Sequence, residues 1–435
     1  GLPDSTLKSR GLNLQWTEQI SDVWRSELLL SRQQVELDQR GVWLVDATHP
    51  FGCFGWASVK VSGNAACGTR LWDRFTTTTF SPALTARFRM GAAAHVAQVG
   101  VDLERTRDDA YMAFPNGFGN LDLALYDYPS ASYAAWVEPT APNPPDQRNT
   151  YRSRTVYVQD QIDVGAWHLL ASLRHSDIRV TDVNASPVFG QNNVTDNRKL
   201  TPRLGVVRDL SASVSAYAGL SQGVKVPVGN IFSTPPKPET SQQKELGLRV
   251  KDLGGLSGSL AWFDLARENV AVGDPANPGK SRQSGLQRSR GLELDLRWQA
   301  SPSLTWLAQA SRMKARIEED TTAANVGKVL FNVPERSARV AVRHDWLQGV
   351  AAGFSAGLGV THHGRLAGDT LNTYFTPAAT LWDAQVGYRI GDARYALRVD
   401  NLADRKYFVP STYFSGGQVI PARPRTVQAS ANFAF

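Results

Sequence analysis

Apolar and polar residues alternate one by one through segment after segment of this chain. In the last segment Val427, Ala429, Ala431, Phe433 and Phe435 fall on one side and Thr426, Gln428, Ser430 and Asn432 on the other. Further in, Leu292, Leu294, Leu296 and Trp298 oppose Glu293, Asp295, Arg297 and Gln299, and Leu246, Leu248 and Val250 oppose Glu245, Gly247 and Arg249. Near the start, Leu12, Leu14 and Trp16 oppose Asn13, Gln15 and Thr17. Successive side chains of a strand point to opposite faces, so each segment has one oily and one polar side. Helical readings fail. No apolar run approaches the roughly 18 residues a membrane helix needs, although 42% of residues are hydrophobic, and mean hydropathy is only −0.30. No long stretch repeats near 3.6 residues either. The 36 Gly, 23 Pro, 12 Trp, 12 Tyr and 17 Phe suit strands, turns and interfacial belts.

A soluble sandwich alternates too, so the connections decide. Short turns are expected near Ser21-Asp22, Gly91-Ala92, Asp163 to Gly165, Ser211-Ala212, Gly254-Gly255, Ser301-Pro302, Gln348-Gly349 and Gly391-Asp392. Between them lie long loops near 39–79, 111–150, 181–198, 225–241, 270–284, 319–334, 364–377 and 404–421. A membrane barrel carries short turns at one rim and long loops at the other. Many segments run about 10–16 residues, against a mode near 5–6 in globular sheets, with Trp16, Trp167, Trp262 and Trp306 close to their ends. The fold expected is all-β: a transmembrane antiparallel β-barrel of about seventeen strands. First and last strands would both run toward short turns and so be parallel neighbours, whereas single-chain barrels close antiparallel with an even number. With no secretory leader at Gly1-Leu2-Pro3-Asp4, the expectation is that an N-terminal portion precedes this sequence.

The +7 charge and pI near 9.4 raise nucleic acid as a partner. The basic residues are scattered singly along strands rather than gathered in a run or helical stripe, which argues against it. A basic lumen or a rim facing lipopolysaccharide accounts for the charge equally well. The only cysteines, Cys53 and Cys67, share one Gly-rich, loop-like segment, and a disulfide between them is expected, implying an oxidising compartment. His49 would be a poor third ligand for a metal there.

Several segments resemble the TonB-dependent siderophore receptors. Leu200 to Val207 (LTPRLGVV) followed by Val214 to Lys225 (VSAYAGLSQGVK) is similar to a hairpin of that family. So are Pro238-Glu239 with Lys244 to Arg249 behind it, Arg290 to Leu294 (RGLEL), Val333 to Arg336 (VPER), Asn401 to Tyr407 (NLADRKY) and Pro424 to Val427 leading to Phe435. The matches keep their order from about residue 155 to the end. Pro238 lacks a ladder N–H and suits a strand entrance, while Asn401 and Asp404 can stop a strand by bonding local backbone. The resemblance implies a 22-stranded outer-membrane barrel with a plug domain, so residues 1–435 would be a partial barrel lacking the plug, the TonB box and about five strands. It also implies ferric siderophore as cargo, TonB as partner through the preceding region, and assembly machinery reading Phe435. Alternatives are a passive or substrate-specific porin, or an importer of haem, cobalamin or oligosaccharide. Gln222 to Pro227 departs from the haem receptors' pattern, and His362-His363 reads more simply as a solvated strand end.

Candidate ligand contacts are loop aromatics, which offer stiff amphipathic area: Trp43, Trp56, Tyr111, Phe114, Phe118, Tyr126, Tyr133 and Trp136, with Tyr374 and Tyr413 in later loops. The plainer reading is that they pack the loops or sit at the membrane interface. Polar-face Glu245, Arg249, Glu293, Arg297, Arg339, Arg343, Arg389 and Arg398 are expected to face the lumen, docking a plug or pairing across strands. No resident cofactor or metal is expected. Neither G-x-S-x-G, H-E-x-x-H nor a P-loop occurs, so catalysis is not expected.

Overall fold

The computed structural model describes residues 4–46, 64–113, 117–121, 147–184, 191–227, 232–277, 280–410 and 419–433. Its strands are β1 (Thr6–Gln19), β2 (Trp24–Asp46), β3 (Asn64–Met90), β4 (Ala93–Ala113), β5 (Gly117–Leu121), β6 (Gln147–Val164), β7 (Trp167–Asn184) and β8 (Gln191–Asp209). There follow β9 (Val214–Lys225), β10 (Glu239–Leu253), β11 (Leu256–Gly273), β12 (Ser281–Ser301), β13 (Leu304–Glu319), β14 (Arg336–Asp345) and β15 (Phe354–His363). Two small pairs, β16 (Leu366–Ala367) with β17 (Phe375–Thr376) and β20 (Phe408–Pro410) with β21 (Val419–Pro421), stand apart from the main sheet, which ends with β18 (Ala379–Ile390), β19 (Ala393–Asp400) and β22 (Thr426–Phe433).

Eighteen strands form one sheet, of which β5 is a short addition on β3. The other seventeen pair antiparallel, each with the next, from β1 to β22. Among the described residues β1 pairs only with β2 and β22 only with β19, so the sheet has two edges. Helix is confined to one 3-10 turn at Ala323–Asn325 among those residues.

Every short turn expected from the sequence falls between paired strands. Gly91, Gly165, Gly254 and Gly391 take the left-handed φ that these tight turns demand, at +55° to +61°. At the opposite rim, Asn401 leaves β19 with φ 52° and is 6% exposed. Its Oδ1 accepts from the Arg405 N–H at 2.9 Å and its Nδ2 donates to the Arg405 carbonyl at 2.9 Å. Asp404 accepts from the Arg425 N–H at 2.9 Å. The strand therefore stops where the sequence suggested, by side chains capturing backbone.

Register divides the sheet into two faces. Leu292 lies opposite Trp262, Trp262 opposite Leu246, Leu246 opposite Ala218 and Ala218 opposite Val206. On this face Leu204, Leu220, Leu246, Leu260, Leu292, Val386 and Val427 are all exposed. Rows of exposed leucine and valine without a covering layer are what lipid contact requires. Aromatic rings line its short-turn rim: Trp298 opposite Trp306, Phe354 against Tyr388 at 4.4 Å, and Tyr395 against Phe433 at 6.2 Å. A polar pair, His95 and Asp160, enters the band, with Nδ1 and Oδ2 at 2.8 Å and Phe88 stacked on the imidazole. Mutual hydrogen bonding is the form in which buried polar groups are tolerated in a low-dielectric setting.

Two expectations need correction. Strands occupy much of what the sequence suggested were loops: β2 runs to Asp46, and β3 starts at Asn64 and is 27 residues long. About ten tilted residues cross a bilayer, so the upper halves of β2 and β3 stand beyond it, held by continued pairing from Thr79↔Ser31 to Asn64↔Asp46. Cys67 is therefore a strand residue opposite Trp43, not part of a loop. Cys53 lies outside the described residues, as does Phe435.

Candidate functional site

The face opposite the leucine rows is concave and polar. One concavity of about 450 Å³ is bounded by residues from β9 to β15, among them Tyr217, Glu245, Glu293, Asp295, Arg339 and His363. A second, of about 630 Å³, continues to Arg297, Arg343, Asp383 and Arg398. Strand alternation puts these groups there because each sits one residue from a lipid-facing neighbour.

Most of the charge on this wall is neutralised locally. Arg339 on β14 reaches across β15 to Asp383 on β18, in a bidentate pair of 2.7 and 2.8 Å, and donates to Thr361 Oγ1 at 2.6 Å. That reach depends on Gly359, which faces Asp383 across the strands. A Cβ there would come within 2.7 Å of both the guanidinium and the carboxylate. Gly247 serves Tyr217 in the same way, since a Cβ on it would lie 2.5 Å from the ring, and the Tyr217 hydroxyl donates to Glu245 at 2.6 Å. Arg343 pairs with Asp345 and Arg398 with Asp400, each at 2.7 Å. Asp295 accepts from Gln309 at 3.0 Å. Such a wall offers many oriented donors and acceptors with little net charge, suited to reversible contact with another polar surface.

Toward the long-loop rim, seven residues above the apolar row at Phe80, the inner face turns acidic. Asp73 on β3 and Asp108, diagonally across the ladder on β4, are neighbouring carboxylates, and Asn149 on β6 donates to Asp108 at 2.9 Å. Burial first, then the neighbouring Asp108, pushes Asp73 up to about 7. The folded state thus holds a proton that the unfolded chain releases near pH 4. Stability from this group is full below pH 4 and is lost as pH rises toward 7. After discounting for solvent screening, Asp73→Asn is expected to stabilise the upper β3–β4 hairpin by roughly 1–2 kcal/mol at pH 8 and by little at pH 4. Amide exchange of β3 at the two pH values checks this; an equal effect at both would refute it.

The eight charged residues singled out from the sequence all share the inner face. Glu245, Arg339, Arg343 and Arg398 have the partners described above. Glu293 and Arg297 line the concavities, Arg249 lies opposite Ser215 and Ser259, and Arg389 lies near the short-turn rim opposite Arg394. The aromatic candidates fare differently. Tyr111 stacks on Trp72 at 5.6 Å with the Arg70 guanidinium over its ring. Unbroken register places Trp72 and Tyr111 on the same face as Phe80 and Leu103. Tyr111 thus faces outward, not toward the lumen. Tyr374 packs over Gly368 within its own loop. Trp43 and Phe118 have backbone in β2 and β5. Trp56, Phe114, Tyr126, Tyr133, Trp136 and Tyr413 lie outside the described residues. His362 and His363 project to opposite faces, so they cannot ligate one ion together. Sequence reasoning missed Gly359 and the Asp73–Asp108 pair. Arg339 was singled out from the sequence, but neither Asp383 nor the three-strand register that joins them.

The family model described as TonB dependent receptor-like, beta-barrel matches residues 3–402. The chain is 28% identical over 363 residues to the metal-pseudopaline receptor of Pseudomonas aeruginosa, covering 79% of this chain and 49% of that protein. It is 27% identical over 376 residues to the ferrioxamine receptor of Yersinia enterocolitica, covering 81% and 50%. It is also 27% identical over 365 residues to the ferrichrome outer membrane transporter/phage receptor of Escherichia coli K12, covering 81% and 47%. The chain thus spans about half the length of these curated relatives. Among solved structures, a siderophore receptor of Acinetobacter baumannii superposes with a TM-score of 0.80 at 17% identity, covering 99% of this chain and 64% of that one. Likeness at that identity concerns the fold.

Proposed function

Because the chain belongs to the TonB-dependent receptor β-barrels of the outer membrane, we propose that it forms the transport wall of a receptor that takes up ferric siderophores. The ferrioxamine and ferrichrome receptors among its relatives support that cargo class. The observation that carries the reading is the inner wall, where Arg339–Asp383, Arg343–Asp345 and Tyr217–Glu245 form a lattice of closed pairs. An open aqueous pore gains from net charge that steers ions. A wall that must hold and release a mobile polar domain gains from charges that are already satisfied. In this proposal a plug occupies the lumen, TonB supplies the energy through it, and the cargo sits between the plug and the long-loop rim. Lipopolysaccharide and lipid contact the outer face, and the assembly machinery engages Phe435. The role is transport rather than catalysis. Uptake of iron-55 presented on hydroxamate, catecholate and carboxylate siderophores, in cells expressing the receptor at full length, tests the assignment. Saturable uptake of one class supports it; uptake of none refutes it.

A further inference from the structure

Above the level where β14 begins, the loop that follows β13 folds back and adds a short rung to it. The Gly327 N–H donates to the Ile317 carbonyl at 2.8 Å and the Leu330 N–H to the Ala315 carbonyl at 2.9 Å, with Val329 opposite Arg316. Asn372, in the turn between β16 and β17, then clamps that rung. Its Oδ1 accepts from the Val329 N–H at 2.9 Å and its Nδ2 donates to the Val329 carbonyl at 3.1 Å. Between rung and hairpin lies a cavity of about 250 Å³, bounded among others by Arg316, Lys328, Val329, Glu335, Arg365 and Phe375. Its charge is lopsided. Three cations face one carboxylate, which leaves two positive charges. Arg365 lies over the Phe375 ring at 4.4 Å, a stacking that holds the plane of its guanidinium. Arg316 gives Nη1 to the Gly327 carbonyl at 2.6 Å, which leaves the rest of its fork for another acceptor. The side chains of Lys328, Arg365 and Glu335 make no hydrogen bond or ion pair among the described residues.

We propose that this cavity binds a divalent tetrahedral oxyanion, phosphate or sulfate, taken from solution. Charge selects the ion, because two surplus positive charges match a dianion. Geometry agrees: guanidinium forks meet pairs of oxygens on a tetrahedral anion, and the Lys328 ammonium adds a point charge beside them. Size excludes larger occupants, since pockets for organic ligands usually span about 300–1,000 Å³. Arg316 and Arg365 are exposed, so the ion can enter from water. Once bound, it ties together the end of β13, the rung at Gly327 to Leu330 and the β16–β17 hairpin, and the rim is stiffest in that state. The inference is independent of which cargo the receptor carries.

Hydrogen exchange of the receptor at full length, in lipid-free detergent, reads the site through the Val329 amide that Asn372 holds. Phosphate or sulfate at about 10 mM should slow exchange of the Gly327 to Leu330 rung about tenfold for a dissociation constant near 1 mM, relative to chloride at equal ionic strength. The turn at Gly254, on the opposite rim, should not respond. The K328Q/R365Q variant should lose the slowing, R365K should keep part of it, and E335Q should enhance it several-fold by removing the competing carboxylate. The heat-modified gel shift of a folded barrel confirms that each variant is assembled. Equal slowing by chloride would reduce the effect to ionic strength and overturn the site. Undiminished slowing in the assembled K328Q/R365Q variant would overturn the cations as its ligands. Loss of the response in E335Q would contradict the charge argument, and no slowing by either dianion would overturn the proposal outright.

Discussion

Leu294→Arg is expected to lower the stability of the folded barrel by up to about 2–4 kcal/mol, while Asp295→Arg, one residue along, leaves it nearly as stable as the parent. Leu294 lies opposite Leu260 on β11 and Ala310 on β13, two residues below the top of the apolar band. An arginine inside the apolar band of a membrane barrel costs up to about 2–4 kcal/mol, the more the nearer the midplane, a large share of the ~5–15 kcal/mol that keeps a domain folded. Asp295 shares the opposite face with Glu293 and Gln309, beside water or a polar surface, and its replacement forfeits one hydrogen bond from Gln309 at 3.0 Å. The loss there should stay near 1 kcal/mol. Unfolding by urea in lipid vesicles measures both. Equal tolerance of the two substitutions would mean that the faces have been assigned wrongly.

Removing TonB from the host should reduce uptake of the ferric siderophore to background, with binding at the cell surface unchanged. Satisfied pairs such as Arg339–Asp383, spanning three strands over Gly359, make the wall a fixed partner rather than a moving part. The energy for passage must then act on whatever fills the lumen. Surface binding requires only the long-loop rim and continues without energy. A passive porin predicts the reverse: flux down a gradient, indifferent to TonB. Parallel measurement of bound and internalised iron-55 separates these outcomes.

Much of this was legible in the chain itself. Alternation gave the strands, and Gly91, Gly165, Gly254 and Gly391 marked tight turns because a left-handed φ suits glycine. The facing of Leu292 and Glu293 followed from the period of two. Reading failed where the membrane ends. Above Phe80 both faces of β2 and β3 are wet, so Gln33, Gln34, Glu36, Asp38 and the Thr76–Thr79 run show no amphipathic contrast, although pairing continues through them. The segment therefore reads as a loop, and Tyr111, on a strand that outlasts its apolar pattern, reads as a loop aromatic although its register turns it outward. Gly359 was illegible for another reason. Its value lies in a register joining β14, β15 and β18, and local sequence carries no trace of that juxtaposition. Asp73 and Asp108 escaped notice likewise, since thirty-four intervening residues and a hairpin bring them together.

The claim that the inner wall belongs to a siderophore receptor is tested most directly by equilibrium binding. Tryptophan fluorescence of the receptor at full length in detergent would be titrated with ferric siderophores of the three chelating classes, with their iron-free forms, and with maltooligosaccharides. The account predicts saturable quenching by the ferric form of one class, weaker binding of its iron-free form, and none by the sugars. Saturable binding of sugar with no response to any ferric siderophore would contradict it.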